Sequence, residues 1–183
     1  MVAPLTDLAP HPDAPAIGAE LSEHYAGCFA CGQGEGGLRM RFRVVAALEL
    51  EAVVVLAAHH QGAPGLAHGG VLSAVFDEAL GALQVFVQEP AVTASLTTEF
   101  RAPVPIGTPL YVRSRLDGRD GRKLHVSAQA RLGSRDGPVA ATARGLFLVV
   151  PPDHFTRHGR PEDVAAARAA GAAPRPFAWT PEV

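Results

Sequence analysis

Apolar and polar residues alternate along much of this chain, and one long segment replaces the alternation with a helical period. Residues 37–45 alternate and residues 48–58 become continuously apolar, which predicts two strands joined by a turn near Ala46 and Ala47. The next stretch, HHQGAPGLAHGG at 59–70, contains too much glycine and proline for regular structure. We therefore predict two strands and a loop that leads to the start of a helix.

The segment from Gly69 to about Val87 has the spacing of an amphipathic helix. At about 100° per residue, its apolar side chains share one half of the helical wheel. These side chains are Val71, Leu72, Val75, Phe76, Ala79, Leu83 and Phe86. The opposite stripe consists of Ser73, Asp77, Gly81 and Gln84. Glu89 and Pro90 end the pattern.

Four further segments alternate with period two and predict strands. They span residues 91–105, 108–118, 122–133 and 138–150. Glycine-containing turns separate them, and Asp-Gly pairs in these turns are typical of tight antiparallel hairpins. The order of two strands, one long helix and four hairpin-connected strands predicts an α+β fold in which an antiparallel sheet covers the helix.

The length of 183 residues favours one domain with flanking segments. The predicted parts are an irregular, proline-containing N-terminal arm at 1–36, a folded domain at 37–150 and a C-terminal extension at 151–183. Within the extension, a proline at the start and a glycine at the end delimit a short helix at 161–171. Phe177 and Trp179 could attach the remaining tail to the domain or to a neighbouring subunit.

The composition is typical of a compact protein. Hydrophobic residues make up 48% and charged residues 19%, and the formal net charge is -2. Without a basic surface, binding to nucleic acid or to anionic lipid is not expected. We find no apolar run of the ~18 to 20 residues that span a bilayer, and no signal-peptide pattern at the N-terminus. We expect a cytoplasmic protein without a membrane partner.

Cys28 and Cys31 are the only cysteines, in the sequence GCFACGQGEGG. Such a pair can be half of a zinc site or a redox couple, but structural zinc needs four ligands and no second pair exists. His24 could supply a third ligand. The interpretation that we favour is a tight glycine-rich turn holding two small buried thiols, so we expect no metal and no cofactor.

The predicted helix begins with two glycines that could hold a reacting oxygen. The first amides of a helix have no intrahelical partner, and the helix dipole places positive charge there. Gly69 and Gly70 would let a ligand approach these amides closely, as in an oxyanion hole. Asp77 lies eight residues beyond Gly69, about 12 Å along the axis, so one helix cannot bring both to the same atom. We expect a second subunit to complete the site.

Asp77 has two interpretations. In many amphipathic helices such a carboxylate belongs to a solvated polar face. Here its stripe is narrow and otherwise small or neutral, and no arginine occurs between Arg43 and Arg101 to pair with it. This pattern favours contact with a ligand or another helix, whereas we assign Glu78 a structural role at the rim of the apolar face.

The histidines before the helix have candidate roles of their own. His68 can cap the helix, and a role as catalytic base is the weaker alternative. His59 and His60 are adjacent, so they point to opposite sides of an extended segment and at most one serves a site. Gln61 could donate a hydrogen bond to a substrate carbonyl.

Several of these segments resemble the hotdog-fold acyl-CoA thioesterases of the phenylacetate-degradation type. The likeness rests on HGGVLSAVFDEALGAL at 68–83, TTEFRAPVPIGTPLYVRSRL at 97–116 and the strand segments at 121–133 and 138–150. The opening CFACGQGEGGLRMRF at 28–42 is similar to that of some bacterial members. The resemblance covers residues 37–150 and implies an antiparallel sheet wrapped around a central helix. It also implies homodimers or homotetramers with each site at a subunit boundary.

The resemblance implies roles for individual residues. Asp77 matches the family's general base or nucleophile, and Gly69, with Gly70 beside it, matches the glycine whose amide polarises the thioester carbonyl. Thr93 matches a position that orients water. The family usually has asparagine or glutamine seven residues before that glycine, where this chain has Gly62, with Gln61 one step earlier. Four arginines are candidates for the coenzyme A phosphates: Arg101, Arg113, Arg115 and Arg122.

The function that the sequence predicts is hydrolysis of an acyl-CoA thioester. Gly69 holds the carbonyl and Asp77 of a neighbouring subunit assists attack, while Thr93 and Gln61 help to position the reactants. A hydratase or dehydratase acting on acyl thioesters is one alternative, because the 59–70 loop superficially resembles the histidine-containing loop of hotdog dehydratases. A non-catalytic acyl-CoA-binding protein is the other.

Overall fold

A seven-stranded antiparallel sheet packs around one central helix in the computed structural model, which describes residues 8–169. The strands are β1 Glu20–Leu21, β2 Phe42–Ala46, β3 Glu49–Val55, β4 Gln61–Ala63, β5 Leu66–Ala67, β6 Ala91–Phe100, β7 Pro109–Asp120, β8 Lys123–Leu132 and β9 Val139–Val149. The helices are α1 Gly69–Gly81, α2 His154–His158 and α3 Pro161–Ala169. The predictions for Phe177 and Trp179 lie outside the described residues.

The strand order in the main sheet is β1-β2-β3-β7-β8-β9-β6, and every neighbouring pair is antiparallel. Helix α1 contacts β3, β6, β7, β8 and β9, so it lies across one face of the sheet. This arrangement confirms the predicted α+β fold with a sheet covering a central helix. Strand β6 forms one edge of the sheet and the two-residue β1 forms the other.

Alternation along β7 shows how the sequence assigns the two faces of the sheet. Leu110, Val112 and Leu116 are at most 3% exposed and point into the core, whereas Arg113 and Arg115 between them are exposed. Helix α1 packs against this inner face of the sheet, and its buried side chains are Leu72, Val75, Phe76, Ala79 and Leu80. The predicted apolar half of the helical wheel therefore faces the sheet.

The predicted helix changes its winding near its end. Helix α1 stops at Gly81, and the segment Ala82–Phe86 continues as a 3-10 helix whose side chains are mostly buried. Together, residues 69–86 have a mean hydropathy of 1.2, enough to cross a membrane by length and composition. This corrects our expectation that no such run exists. Half of the segment is buried inside the molecule, as in the core helix of a folded domain.

The 59–70 region is more regular than its glycine and proline content predicted. A 3-10 turn at Ala58–His60 leads into a hairpin of β4 and β5 with Pro64 and Gly65 at its tip. Gly65 has a φ of +75°, as expected for the residue after proline in a type II turn. Strand β1, inside the arm expected to be irregular, and helix α2 were also not predicted.

Candidate functional site

The N-terminal end of α1 exposes one unused backbone donor. His68 caps the helix: its Nδ1 accepts from the Gly70 amide at 2.9 Å, and its carbonyl accepts from the amides of Val71 and Leu72. The predicted capping role of His68 is therefore observed. Because the Gly70 amide already donates to His68, it is not available to a ligand. Within residues 8–169, the Gly69 amide makes no hydrogen bond.

Gly69 is one of the residues that line an open cavity of about 550 Å³. The walls are mostly apolar and include Leu72, Phe100, Pro103 and Val104. A Cβ atom at Gly69 would lie 3.4 Å from Phe100 Cζ, so the aromatic ring packs directly against the glycine. Phe100 is itself 55% exposed, although it is a large apolar side chain. An acyl group could therefore lie along this cavity with its carbonyl near the Gly69 amide.

Gln61 and Gly62 shape the loop in front of the helix. Gln61 Oε1 accepts a hydrogen bond from the Gly65 amide at 2.9 Å, so this oxygen closes the β4–β5 hairpin. A Cβ atom at Gly62 would lie 2.7 Å from the ring of His68 and 2.9 Å from its Cα. A side chain at position 62 would force His68 to shift while His68 caps the helix, which accounts for the glycine at this position.

His60 is a structural residue. Its ring is buried, and Nδ1 accepts from the Ala57 amide at 3.1 Å, which places the ring proton on Nε2. Nε2 then donates to the Gly36 carbonyl at 3.1 Å and connects this turn to the N-terminal arm. His59 is exposed to solvent. Both ring nitrogens of His60 are therefore used in hydrogen bonds, and His60 stabilises the contact between this turn and the N-terminal arm.

Asp77 contacts Thr93 on the neighbouring strand. Thr93 Oγ1 donates to Asp77 Oδ1 at 2.7 Å, across the gap between α1 and β6. A bulge between Thr93 and Ser95 interrupts the pairing of β6 with β9 at this point. Within residues 8–169, no salt bridge involves Asp77. A half-buried carboxylate with a hydroxyl partner and no cation is suited to accept a proton from water.

Two other members of the polar stripe, Ser73 of α1 and Gln84 of the following 3-10 segment, also face β6. Ser73 Oγ lies 3.4 Å from Thr98 Oγ1, and Gln84 Oε1 accepts from the Ala91 amide at 2.7 Å. The stripe is therefore not a solvated outer face of the helix. It lies along the edge strand of the sheet, where β6 pairs only with β9 in the described chain and is exposed over much of its length.

Three of the four candidate arginines meet on the outer face of the sheet. A cavity of about 570 Å³ there is lined by Arg101, Arg113 and Arg115, and also by Arg144 of β9. Their partners are acidic: Glu99 for Arg101, Glu49 for Arg113 and Asp117 for Arg115. Arg101 also lines the cavity at Gly69. Arg122 does not line either of these cavities.

Sequence reasoning overlooked Arg144. Arg144 is exposed on β9 and directly follows the buried Ala143. Because successive side chains of a strand point to opposite faces, the period-two pattern places Arg144 on the outer face of the sheet. The strand register puts Arg144 of β9 between Ser127 of β8 and Thr97 of β6, the strand that also carries Glu99. Period-two alternation alone could have assigned its face, but only the strand order brings it to the other arginines.

A separate cluster of potential metal ligands lies beside α1. His24, Cys28, Cys31 and Glu78 each contribute one ligand atom, and all four atoms lie within 4.8 Å of one another. A hydrogen bond from Cys31 lowers the pKa of the Cys28 thiol to about 6, although burial and the Glu78 carboxylate oppose this shift. Glu78, to which the sequence assigned a rim role, thus contacts the two-cysteine turn.

Comparisons with known proteins agree with this architecture. The Thioesterase superfamily pattern matches residues 64–138, which include α1 and strands β6, β7 and β8. The acyl-coenzyme A thioesterase THEM4 of Bos taurus is 36% identical over 93 residues, or 51% of this chain and 38% of that protein. The chain thus spans about two fifths of the length of curated relatives such as this one.

Two solved structures support the assignment over a longer region. A thioesterase superfamily protein superposes with a TM-score of 0.62 and 27% identity, covering 74% of this chain and 69% of its own. A phenylacetic acid degradation-related protein of Ralstonia eutropha JMP134 has a TM-score of 0.54 and 28% identity, covering 62% of this chain and 87% of its own. The helix, the sheet around it and these matches agree: the chain has the hotdog fold, and its residues 64–138 are similar to the Thioesterase superfamily.

Proposed function

We propose that this chain hydrolyses an acyl-CoA thioester to a free acid and coenzyme A. The observation that carries the proposal is the hydrogen bond between Asp77 and Thr93, which orients a carboxylate that forms no salt bridge within residues 8–169. The match of residues 64–138 to the Thioesterase superfamily and the similarity to a protein named acyl-coenzyme A thioesterase support the same substrate class. The apolar cavity at Gly69 supplies a place for the acyl group.

The proposed site combines two copies of the chain. Gly69 and Asp77 are separated by eight residues of one continuous helix, about 12 Å at ~1.5 Å per residue, which is too far for both to act on one carbonyl. Strand β6 offers a ten-residue edge that could pair with β6 of a second copy. Such pairing would place the polar stripes of both α1 helices at the shared boundary. Asp77 of one copy could then act at Gly69 of the other.

The reaction follows from the chemistry of these groups. The thioester carbonyl oxygen accepts from the Gly69 amide, and Asp77 removes a proton from water as the water oxygen attacks the carbonyl carbon. The negative charge formed on the carbonyl oxygen is stabilised by the Gly69 N–H and the helix dipole. The C–S bond then breaks, and the coenzyme A thiolate takes the proton from Asp77. Direct attack by Asp77 through a transient anhydride is the alternative route.

Two other candidates take positioning roles. Thr93 holds one carboxylate oxygen of Asp77, which leaves the second oxygen free to contact water. Arg101 lines both cavities and is the arginine best placed to contact a phosphate of coenzyme A that extends from the Gly69 cavity. Water, the substrate and groups of the chain suffice for this reaction, so the proposal includes no cofactor.

Release of free thiol from a panel of short, aromatic and long-chain acyl-CoA substrates tests the proposal. The Asp77→Asn variant preserves the shape of the side chain and should reduce kcat by about 10² to 10⁴, the usual contribution of a general base. Asp120→Asn changes an exposed carboxylate at the end of β7 and should leave kcat unchanged. Full activity of Asp77→Asn would remove this residue from the mechanism. Binding of acyl-CoA without thiol release would favour the non-catalytic alternative.

The two-copy site has a separate test. The molecular mass in solution, measured by light scattering after size exclusion, should correspond to a dimer or tetramer. Mixing an inactive Asp77→Asn chain with a chain that carries an inactivating change at the Gly69 cavity should restore activity in the hybrid dimers. An active monomer would contradict the shared site.

A further inference from the structure

We propose that His24, Cys28, Cys31 and Glu78 form a structural zinc site that fastens the N-terminal arm to helix α1. This inference is independent of the proposed hydrolysis. The sequence supplied three candidate ligands close together, and the expectation of no metal rested on the lack of a fourth. The fold supplies the fourth from Glu78, which lies 50 positions after Cys28.

The distances match the dimensions of a tetrahedral zinc site. Cys31 Sγ lies 3.0 Å from His24 Nδ1, Cys28 Sγ lies 3.8 Å from Glu78 Oε2, and His24 Nδ1 lies 3.8 Å from Glu78 Oε1. Zinc–ligand bonds of ~2.0 to 2.3 Å give tetrahedral edges of about 3.3 to 3.8 Å. Movements of less than about 1 Å would therefore bring the four atoms around one ion.

The donor set selects zinc over other common ions. Two thiolates and an imidazole favour a soft or borderline metal, whereas magnesium and calcium prefer oxygen ligands. Four protein ligands fill a tetrahedral shell and leave no open position, which is typical of a structural rather than a catalytic zinc site. The site is also sheltered, since Cys31 is fully buried and the Glu78 side chain is only 10% exposed.

The backbone around the cysteines is already shaped for a metal. The Ala30 amide points at Cys28 Sγ at 3.3 Å, and the Gly32 amide donates to the Cys28 carbonyl at 2.9 Å. N–H groups directed at sulfur stabilise a thiolate that binds an ion. A Cβ at Gly32 would collide with the carbonyl oxygens of Ala26 and Cys28, so only glycine allows this tight turn.

The surrounding charges also suit a divalent cation. Two thiolates and one carboxylate carry three negative charges, and a zinc ion would leave about one. Arg41 lies on the outside of the turn, where its guanidinium donates to the carbonyls of Cys31 and Met40 and pairs with Glu23 at 3.1 Å.

The location gives the site a structural consequence. Glu78 follows Asp77 directly on α1, and the segment 28–40 continues into β2 through hydrogen bonds such as Met40 N to Ala30 O at 2.9 Å. Zinc would therefore connect the arm, the central helix and the start of the sheet at one point. We expect removal of the ion to loosen the arm and lower the Tm.

Metal analysis of the full chain, purified without a histidine tag from zinc-supplemented medium, tests the inference. Inductively coupled plasma mass spectrometry should find about one zinc ion per chain after exhaustive dialysis. Replacement of zinc by cobalt should give the visible absorption bands of a tetrahedral cobalt site with thiolate charge-transfer bands. The Glu78→Gln variant should retain about one tenth, or less, of the zinc that the wild type retains. Glu35 is an exposed acid in the glycine-rich segment that contains the two cysteines, and Glu35→Gln should retain as much zinc as the wild type.

Other outcomes would overturn the inference. A zinc-free wild-type protein with two thiols that react with Ellman's reagent would show that the cysteines serve only as small buried side chains. A zinc-free protein lighter by two hydrogens would show a disulfide between Cys28 and Cys31. Full zinc retention by Glu78→Gln would exclude the fourth ligand. Since the wild-type measurement requires no variant, a folding defect in a ligand variant does not prevent a decision.

Discussion

Replacement of Thr93 by valine should separate the orientation of Asp77 from its chemistry. Thr93 Oγ1 donates to Asp77 Oδ1 at 2.7 Å, and valine has nearly the same shape without the hydroxyl donor. The carboxylate of the variant would remain in place but would lose the contact that selects one of its rotamers. We therefore expect a lower kcat with little change in KM or in the Tm.

The magnitude follows from the geometry of this hydrogen bond. A hydrogen bond to a charged group contributes ~1.5 to 3 kcal/mol, and a short O–H···O⁻ contact belongs to the stronger class. Thr93 is exposed, so water competes for the carboxylate and the lower end of this range applies. A loss of about 1.4 kcal/mol in transition-state stabilisation corresponds to a tenfold decrease in kcat. This is much smaller than the effect expected for Asp77→Asn.

Matched variants on the same strand make the measurement specific. Thr98 also lies on β6 and contacts α1 through Ser73, so Thr98→Val makes the same chemical change away from Asp77 and should alter kcat less than about twofold. Thr93→Ser retains the hydroxyl and should recover most of the activity. Thiol-release kinetics would measure all three variants. Equal kcat for Thr93→Val and wild type, or an equal loss for Thr93→Ser and Thr93→Val, would refute the positioning role.

Three stability predictions follow from other contacts, each measured by urea or thermal unfolding. His68→Ala removes the cap on the Gly70 amide and should lower the free energy of unfolding by about 1 kcal/mol; an unchanged value would mean that water replaces the cap without cost. Ser114→Ala should raise the Tm by about 2 to 4 °C, because the buried Ser114 hydroxyl has no hydrogen-bond partner in the described chain; a lower Tm would reveal such a partner. Gly62→Ala should destabilise by about 1 to 3 kcal/mol through its collision with His68, whereas Gly34→Ala, with open space around its Cβ, should stay within about 0.5 kcal/mol of wild type.

Period-two and helical patterns were sufficient to predict most of the fold. They depend on burial of one face of each element, which each segment encodes locally, so the succession of two strands, one helix and four strands along the chain followed from the sequence. The β4–β5 hairpin was missed because strands of two or three residues have too few alternating positions to show a period. The change from α to 3-10 winding after Gly81 was also missed, because Ala82, Leu83, Val85 and Phe86 are apolar and compatible with either helix.

The site was predictable only where it depends on neighbours in sequence. The cap by His68 and the donor at Gly69 follow from the first turn of one helix. The contact between Asp77 and Thr93 depends on how β6 lies against α1; resemblance to the family pointed to both residues but did not predict their hydrogen bond. The meeting of Glu78 with the two cysteines joins distant segments, so neither helical periodicity nor cysteine spacing indicated it.

The two edge strands of the sheet differ in length, and this difference would limit how many copies of the chain can pair through the sheet. Strand β6 forms an edge of ten residues, whereas β1 at the opposite edge has only two residues and offers few backbone groups to another strand. If the β6 edges of two copies paired through a twofold axis, both β6 edges would be buried and only the short β1 edges would remain exposed. If two copies pair in the proposed way, association would stop at a dimer, so the long exposed edge of β6 would not lead to open-ended polymerisation.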